Sequence, residues 1–390
     1  MKRRLYQGSD LSRVLSIEEL AGFARRRVPH VVFEYIEAGA EDERTLAANR
    51  GAFDRWRFCP DTLVDTSSRS IATTLFGKPS ASPLIVAPTG FNGLAWPRGD
   101  VALARAAAAA GIPFTLSSFS NTALEEVANE AGGRLWLQLY VLRERELSRR
   151  LLERAAQAGY EALVVTTDAN VMSGREWDKR NFIAPGKPTL RCRLDMLAHP
   201  GWLRTHLKHG MPALENVKDF IPPHQQSVAQ RMAFVVDQLQ PNLSWDDIRW
   251  LRGLWHGRLV VKGILNAGDA RRAFDCGADG IVVTNHGGRQ LESCVSSLDV
   301  LSEIVDTLAG RLTVLVDGGF RRGGDILKAV ALGADGVMTG RATLYGLTAA
   351  GEAGVSHAIG LLHGEMNRTL GMLGRNSIAA LGPDVLRKVS

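Results

Sequence analysis

The sequence predicts an α/β protein folded as a (β/α)8 TIM barrel, with an N-terminal helical segment before it and a long insertion after the fourth strand. From residue 83 onward, eight short apolar runs alternate with amphipathic helical stretches, which is typical of a parallel sheet buried on both faces. Nearly every run ends in polar residues, and in a barrel all these ends face one mouth, where active sites form. An open doubly wound sheet is the alternative, but it does not require eight repeats.

The first predicted element is a helical segment, residues 1–82. Within it, LSIEELAGFARRR has helical apolar spacing, and Ser16 and Glu19 form a capping box at its start. The barrel follows over residues 83–350, with helical stretches such as GDVALARAAAAAG and GGDILKAVALGA between its strands. The predicted strands are, in order, PLIVAP, FTLSS, LWLQLY, ALVVTTD, RLVVKG, GIVVTNH, TVLVDGG and GVMTGR.

A long insertion, residues 176–257, interrupts the alternation between the fourth and fifth strands. An insertion of this length after a barrel strand is usually a lid or a contact surface. Its part at residues 186–214 combines five basic side chains with leucines and Trp202, which we expect to form an apolar face. After the barrel we expect a helical tail at residues 351–390, so that residues 1–390 form a single domain.

Composition and charge limit the class of protein. The chain has 390 residues, of which 45% are hydrophobic and 23% charged, as is ordinary for a globular protein, and its net charge is +6. Neither a Lys/Arg block nor a zinc-type spacing accompanies that charge, so we expect no nucleic-acid partner and no metal site. The cysteines form no CxxC pair, and no apolar h-region follows the basic N-terminus, which favours a cytoplasmic protein without a signal peptide.

Two glycine-rich turns predict a phosphate site. GFRRGGD, residues 319–325, opens a helix after the seventh strand, and TGR, residues 339–341, repeats the arrangement after the eighth. Backbone N–H groups at a helix N-terminus suit an anion, as do Arg321 and Arg341, and barrels commonly bind phosphate at these two loops. The alternative is a pair of tight turns with solvated arginines, which is less expected at two adjacent positions.

The sixth strand ends in TNHGGRQL, which predicts a base beside a carboxylate-binding residue. His286 can take a proton near neutral pH, and Arg289 can hold a carboxylate through two parallel hydrogen bonds. Asp168 ends the fourth strand at the same predicted mouth, where it can hold one nitrogen of the imidazole. Arg175, seven residues further on, either joins Arg289 in the clamp or forms a surface ion pair with a nearby acidic residue.

Other polar residues predict contacts to a ring-shaped ligand. Lys262 ends an apolar strand, and because a buried unpaired lysine is costly, we expect it to face an anion or an electron-rich ligand rather than solvent. Gln138 presents an inward amide that can read the edge of a heterocycle or serve as a core hydrogen-bonder. Tyr35 and Tyr140 offer hydroxyls, although an aromatic residue at either position is by default a packing residue. Together these parts predict a phosphorylated heterocyclic cofactor and a small carboxylic acid.

The string TNHGGRQ differs only at Thr284 from SNHGGRQ, which is highly specific to one enzyme family. The sequence resembles the FMN-dependent 2-hydroxy acid oxidases and dehydrogenases from VFEYIEAGAEDE to TGRATLYGL. Within that family, RFCPDTLVDTSSRS, APTGFNGLAWPRGD and GFRRGGDILKAVALGADGVMTGRATLYGL are most similar to the mandelate dehydrogenases. The resemblance implies FMN as cofactor and a small 2-hydroxy carboxylic acid as substrate.

The resemblance also implies roles for individual residues. His286 is implied to be the catalytic base, with Asp168 orienting it. The residues implied to contact the substrate are Arg289, Arg175, Tyr35 and Tyr140. The residues implied to bind FMN are Ala87, Pro88, Thr89, Ser117, Gln138, Thr166, Lys262, Thr284, Asp317, Gly318, Gly319, Arg321, Gly340 and Arg341. Among these, Lys262 is implied to stabilise the negative charge that gathers at the N1–C2 carbonyl edge of reduced flavin.

The implied reaction is oxidation of an (S)-2-hydroxy acid of mandelate type to the 2-oxo acid, with glycolate, lactate or a long-chain acid as the alternative substrate. Hydride transfer and a carbanion route need the same base, so both stay open. The basic segment at residues 186–214 predicts peripheral attachment to the cytoplasmic membrane face and a quinone acceptor. The alternative is a soluble oxidase that passes electrons to oxygen and produces hydrogen peroxide. A homotetramer is expected by analogy with the family.

Two departures and two rival functions qualify the resemblance. TTDANV stands where many members have T-V-D-T-P, so the path of the loop before Arg175 is not implied by the resemblance. Gly90 stands where many members have alanine, so the oxygen reactivity of the better-known oxidases is not implied either. A barrel isomerase acting on a phosphorylated substrate shares the phosphate turns but gives no reason for His286 beside Arg289. An inactive binding barrel is expected to lose its polar strand ends, and this sequence keeps them.

Overall fold

Eight parallel strands close into a barrel, which confirms the predicted TIM barrel and its eight strands. The structure, a computed structural model, describes residues 5–184, 186–221, 230, 234 and 237–389. The barrel strands are β1 (Leu84–Val86), β2 (Phe114–Ser117), β3 (Leu135–Leu139), β4 (Ala162–Thr166), β5 (Arg258–Ile264), β6 (Gly280–Val283), β7 (Thr313–Val316) and β8 (Gly336–Thr339). The barrel closes where β8 pairs with β1, with Val337 opposite Leu84.

The strands are buried on both faces, which explains their continuous apolar sequence. In β1, the side chain of Ile85 belongs to a cluster inside the barrel, whereas Leu84 and Val86 pack in the larger core outside the strands. Trp136 and Leu75 help to fill the interior, so the barrel is a packed core and not a pore. Ligands are therefore confined to the rim formed by the loops.

The segment before the barrel is helical only in part, so the prediction for residues 1–82 needs correction. Its helices are α1 (Ile17–Arg27), α2 (His30–Glu37) and α3 (Arg44–Gly51). Short strands follow them: Trp56–Phe58 pairs with Leu386–Lys388 near the C-terminus, and Thr73–Leu75 pairs with Lys78–Ser80. The strand Trp56–Phe58, which the helical prediction overlooked, thus connects the N-terminal segment to the C-terminal part of the chain.

The predicted N-cap at Ser16 is present, but the capping box is only half formed. The Ser16 hydroxyl accepts a hydrogen bond from the backbone N–H of Glu19 at 3.2 Å. The Glu19 carboxylate accepts from the N–H groups of Leu15 and Tyr6 instead of that of Ser16. Glu19 therefore ties the chain before the helix to its first turn.

The remaining described helices are α4 (Gly99–Ala109), α5 (Leu124–Ala131), α6 (Arg145–Gln157), α7 (Glu176–Arg180), α8 (Leu190–Leu197), α9 (Pro200–His209), α10 (Trp245–Leu254), α11 (Ala267–Asp275), α12 (Ser297–Leu308), α13 (Gly323–Ala331) and α14 (Arg341–Met372). The insertion after β4 carries α7 to α9, and α10 is the barrel helix that leads into β5. The predicted tail is helical only to Met372, after which 3-10 turns lead to the C-terminal strand. None of the helices in the described ranges is long and apolar enough to cross a membrane.

Candidate active site

The carboxyl ends of the strands surround a cavity of about 270 Å³, close to the lower end of the range for small-molecule sites. Most of the predicted site residues line it. These are Tyr35, Ala87, Pro88, Thr89, Ser117, Tyr140, Arg175, Lys262, His286, Arg289, Asp317, Gly318, Gly319, Arg321, Gly340 and Arg341. The structure thus brings side chains from helix α2 and from every part of the barrel to one place.

Four predicted site residues lie behind the cavity wall and do not line it. Gln138 donates to the Thr166 hydroxyl at 3.0 Å and accepts from Ser117 at the same distance, so its amide is engaged inside the barrel mouth. Thr284 donates to Asp317, which does line the cavity. The fourth, Asp168, contacts the imidazole of His286. Hydrogen bonds of this group reach Ser117, Asp317 and His286, which line the cavity.

His286 and Asp168 form the predicted pair. Nδ1 of His286 lies 2.9 Å from a carboxylate oxygen of Asp168. Burial opposes the charged form of Asp168, but His286 and Lys262 outweigh it, and the pKa of the carboxyl lies below its ordinary value. Because an ionised carboxylate only accepts, Nδ1 carries the proton and Nε2 is left to accept another. The pair therefore has the form of an oriented base.

The backbone at His286 adopts an unusual conformation. Its φ is +58°, in the left-handed region, and Gly287 and Gly288 follow with φ of +62° and +75°. A residue with a side chain is strained there, and such strain is concentrated at functional sites. The hydroxyl of Thr284 accepts from the His286 N–H at 2.9 Å and supports the turn. This explains why glycines follow the histidine.

Two arginines flank the ring of Tyr35 at the cavity wall. The guanidinium carbons of Arg289 and Arg175 lie 5.4 and 5.8 Å from the ring centroid. Burial, with Arg175 and Arg341 nearby, lowers the pKa of Arg289 to about 10, so it stays charged at neutral pH. Arg175 also pairs with Asp178 at 3.3 Å, the ion pair offered as the alternative, while it lines the cavity. The concentration of positive charge suits a small anion.

Lys262 is buried in the barrel mouth between two carboxylates. Its Nζ lies 3.2 Å from Asp317, and its side chain is only 5% exposed. Burial acts to lower the pKa of Lys262, but Asp317 and Asp168 raise it above the ordinary value. The ammonium is therefore charged and reaches the cavity, where it can stabilise negative charge on a bound ring.

The other side of the cavity is aromatic. The rings of Phe119 and Tyr140 stack with centroids 4.7 Å apart, and Phe91 meets Tyr35 edge to face at 5.9 Å. Burial, and after it the negative charge of Asp168, raises the pKa of Tyr140. Burial also raises the pKa of Tyr35, although the positive charges of Arg289 and Arg175 act to lower it. Both phenols are neutral hydrogen-bond donors at neutral pH.

The glycine turn after β7 and Arg321 fit the phosphate of the FMN that the resemblance implies. Gly318 and Gly319 have φ of +110° and +85°, and both line the cavity. Nη1 of Arg321 is buried and has no hydrogen-bond partner among the described residues, as expected of a donor that awaits an anion. The site therefore offers a positively charged hydrogen-bond donor that lacks an acceptor, which suits a phosphate.

Arg341 is engaged differently from the prediction. Its guanidinium donates to the main-chain carbonyls of Ile36, Glu37 and Ala38 at the end of α2, and to Gly287. Carbonyls at a helix C-terminus lack intrahelical partners and carry the negative end of the helix dipole, so they attract a cation. Arg341 lines the cavity while it fixes the N-terminal segment to the barrel mouth.

Several residues of the site escaped sequence analysis. Arg50 lines the cavity and pairs with Asp325 at 2.9 Å, and the wall also includes Phe91, Phe119 and Leu239. Arg50 lies on α3, far from the barrel in sequence, and nothing in its spacing relates it to the glycine turns. The two phenylalanines follow polar strand ends, a position that could have suggested them.

Comparisons with known proteins agree with this geometry. The model of a family described as FMN-dependent dehydrogenase matches residues 24–388. (S)-Mandelate dehydrogenase of Pseudomonas putida is 44% identical over 96% of this chain and 94% of its own length. L-lactate oxidase of a Nostoc species is 42% identical over 93% of this chain and 95% of its own length.

Solved structures give the same result. A crystal structure described as that of the monotopic membrane protein (S)-mandelate dehydrogenase superimposes with a TM-score of 0.93, at 43% identity, over 97% of this chain and all of the other. Mandelate oxidase with (S)-4-hydroxymandelic acid superimposes with a TM-score of 0.82, at 37% identity, over 96% and 98%. The predicted family and its FMN cofactor are confirmed, and the chain belongs to the FMN-dependent dehydrogenase family.

Proposed function

We propose that this protein oxidises an (S)-2-hydroxy acid of mandelate type to the 2-oxo acid. The observation that carries the proposal is the oriented base, His286 with Asp168, in the same cavity as Arg289 and Arg175. A base next to a carboxylate clamp suits a substrate whose hydroxyl is adjacent to its carboxylate. An isomerase of phosphorylated substrates needs the glycine turns but not this combination.

Each group has a distinct part in the reaction. Arg289 and Arg175 bind the substrate carboxylate, and Tyr35 and Tyr140 donate hydrogen bonds to the carboxylate and hydroxyl. Nε2 of His286 accepts a proton from the substrate, and the charge of Asp168 stabilises the imidazolium that forms. When bound, FMN supplies the two-electron acceptor.

The substrate side chain is proposed to be aromatic because of the cavity wall. Phe91, Phe119 and Tyr140 present ring faces and edges, and Leu239 and Met172 add apolar surface. Aromatic rings prefer edge-to-face and offset contacts of this kind. Similar proteins that are named for mandelate support the same choice. A glycolate-type substrate leaves this surface without a partner.

Anaerobic titration of the yellow protein tests the proposal. We expect (S)-mandelate to bleach the flavin absorbance, and glycolate and L-lactate to bleach it more slowly. Preference for L-lactate or glycolate would contradict the aromatic assignment, and no bleaching by any 2-hydroxy acid would contradict the activity. Hydrogen peroxide formed in air measures the alternative, in which oxygen is the acceptor.

We also propose that residues 186–214 attach the protein to an anionic membrane surface and that a quinone accepts the electrons. All five basic residues of this segment are exposed: Lys187, Arg191, Arg193, Arg204 and Lys208. Four leucines are 58–78% exposed beside them: Leu190, Leu194, Leu197 and Leu207. Exposed apolar and basic side chains together suit the interfacial region of a bilayer. A similar protein described as monotopic supports the proposal.

Trp202 is not part of this surface, contrary to the sequence prediction. It is 8% exposed, and its indole N–H donates to the carbonyl of Leu94 at 2.8 Å. The apolar pattern of α9 did not distinguish the side that packs on the barrel from the side that faces outward. Trp202 therefore anchors the segment to the 3-10 turn that follows β1.

Replacing Arg191 and Arg193 by glutamine should weaken binding to vesicles that contain anionic phosphatidylglycerol. Each basic residue near such a surface contributes about 1 kcal/mol to the binding free energy. Loss of both charges should therefore lower the affinity for the vesicles, measured by co-sedimentation, about 30-fold. Glutamine at Arg271 and Arg272, exposed on α11, is the matched control and should have little effect. Equal binding to neutral and anionic vesicles would contradict the assignment.

The cytoplasmic face and the homotetramer stay predictions, to be checked by fractionation and light scattering.

A further inference from the structure

A buried pair of asparagine amides joins the N-terminal segment to the turn that carries His286. Nδ2 of Asn49, on α3, donates to Oδ1 of Asn285 at 2.8 Å, and Nδ2 of Asn285 donates back to Oδ1 of Asn49 at 2.8 Å. Asn49 is 0% exposed and Asn285 4%. Two amides that bond reciprocally in a buried site hold each other in one orientation.

Asn285 uses its other bonding capacity on the His286 turn. Its Oδ1 also accepts from the N–H of Gly288 at 3.1 Å, and its Nδ2 also donates to the carbonyl of Val295 at 2.9 Å. The amide thus spans a turn in which His286 and both glycines are left-handed. An orientation fixed by Asn49 therefore fixes the backbone on both sides of the imidazole.

Asn49 also contacts the glycine turn after β7. A Cβ atom at Gly319 would lie 2.7 Å from the main-chain carbonyl oxygen of Asn49. A Cβ atom at Gly318 would lie 3.5 Å from the side-chain amide of Asn49. On the other side, a Cβ at Gly288 would lie 2.7 Å from the backbone nitrogen of Leu46, one turn earlier on α3. Helix α3 is therefore in close contact with both turns.

We propose that Asn49 is a positioning residue that aligns the His286 turn with the glycine turn that holds FMN. It touches neither substrate nor reacting atoms and acts through Asn285. The inference rests on the proposed role of His286 as the base. If the amide pair fixes the orientation of the His286 imidazole, loss of the hydrogen-bond donor at position 49 lowers kcat without a matching change in KM.

Asn49→Asp gives a signature that a merely structural role does not. An ionised aspartate can accept from Asn285 but cannot donate to its Oδ1, whereas the protonated acid donates and accepts as the amide does. Burial favours the protonated acid. We expect the ratio of variant to wild-type kcat to rise as the pH falls. A ratio that stays constant with pH would overturn the proposal.

Alanine variants and FMN binding provide the second measurement. Asn49→Ala and Asn285→Ala should each lower kcat, and the double variant should be no worse than either, with a coupling of about 2- to 100-fold. The FMN dissociation constant, from flavin fluorescence, should rise more in Asn49→Ala than in Asn285→Ala, because the side-chain amide of Asn49 lies next to Gly318 of the glycine turn. Additive losses of kcat would overturn the proposal.

Asn216→Ala is the matched control. Asn216 is 1% exposed, and its amide bonds to two backbone groups near the start of α5. Removing it should lower the melting temperature while kcat stays near the wild-type value. Wild-type turnover of a 2-hydroxy acid and its loss in His286→Ala test the proposed function separately, so a failure of one inference is distinguishable from a failure of the other.

Discussion

His286→Ala is expected to lower kcat for a 2-hydroxy acid by about 10²- to 10⁴-fold, the usual contribution of a positioned general base. FMN should stay bound, because the phosphate turns and Lys262 are separate from the imidazole. Stopped-flow measurement of flavin bleaching, together with the visible spectrum of the purified variant, measures both quantities. The loss should concern kcat and kcat/KM alike, since the proton transfer belongs to the transition state.

His363→Ala provides the control for this experiment. Like His286, His363 is half-buried and hydrogen-bonded, with its Nε2 2.8 Å from the Ser82 hydroxyl, but it lies outside the cavity. Its removal tests whether loss of a half-buried imidazole is enough to disturb turnover. Full turnover by His286→Ala with bound FMN would end the assignment of His286 as the base.

Arg289→Met is expected to lower kcat/KM by at least about 30-fold, which corresponds to the 2–5 kcal/mol that loss of one partner of a buried charge pair costs. The substrate carboxylate would lose its partner, while methionine keeps much of the volume. Arg289→Lys should recover part of the activity, because an ammonium keeps the charge but not the bidentate geometry. Steady-state kinetics with a series of 2-hydroxy acids measures the effect.

Arg252→Met is the matched control for Arg289. Like Arg289, whose Nη1 donates to the carbonyl of Ala38 at 2.8 Å, Arg252 donates to main-chain carbonyls, those of Trp255 and Gly257, but at the opposite end of the barrel strands. If both variants lose activity in parallel, the effect of Arg289 is structural and the clamp is disproved. A loss restricted to Arg289→Met, with a melting temperature like that of Arg252→Met, supports carboxylate binding.

The barrel could be predicted from sequence because its code is local. Each strand is buried on both faces and therefore reads as a short apolar run, and each run is followed by the polar side chains that face the mouth. His286 and Arg289 could be identified because they are adjacent in one short string. Lys262 could be identified because a lysine at the end of an apolar strand is unusual.

Other features of the site depend on contacts between residues that are far apart in the sequence, which local sequence patterns do not encode. Asn49 and Asn285 are 236 positions apart, and only the return of α3 over the barrel mouth brings them together. The same return gives Arg341 its carbonyl partners on α2. Trp202 was placed on the wrong side of its helix because apolar side chains identify a face but not what covers it.

Pairing of the last barrel strand with the first, β8 with β1, has a consequence for biosynthesis. A chain emerging from the ribosome cannot close the cylinder until Thr339 has left the exit tunnel, and the N-terminal helices have no finished rim on which to settle before then. The complete FMN cavity therefore forms only after β8 has been synthesised, and the rate of FMN loading depends on how fast this non-local pairing follows.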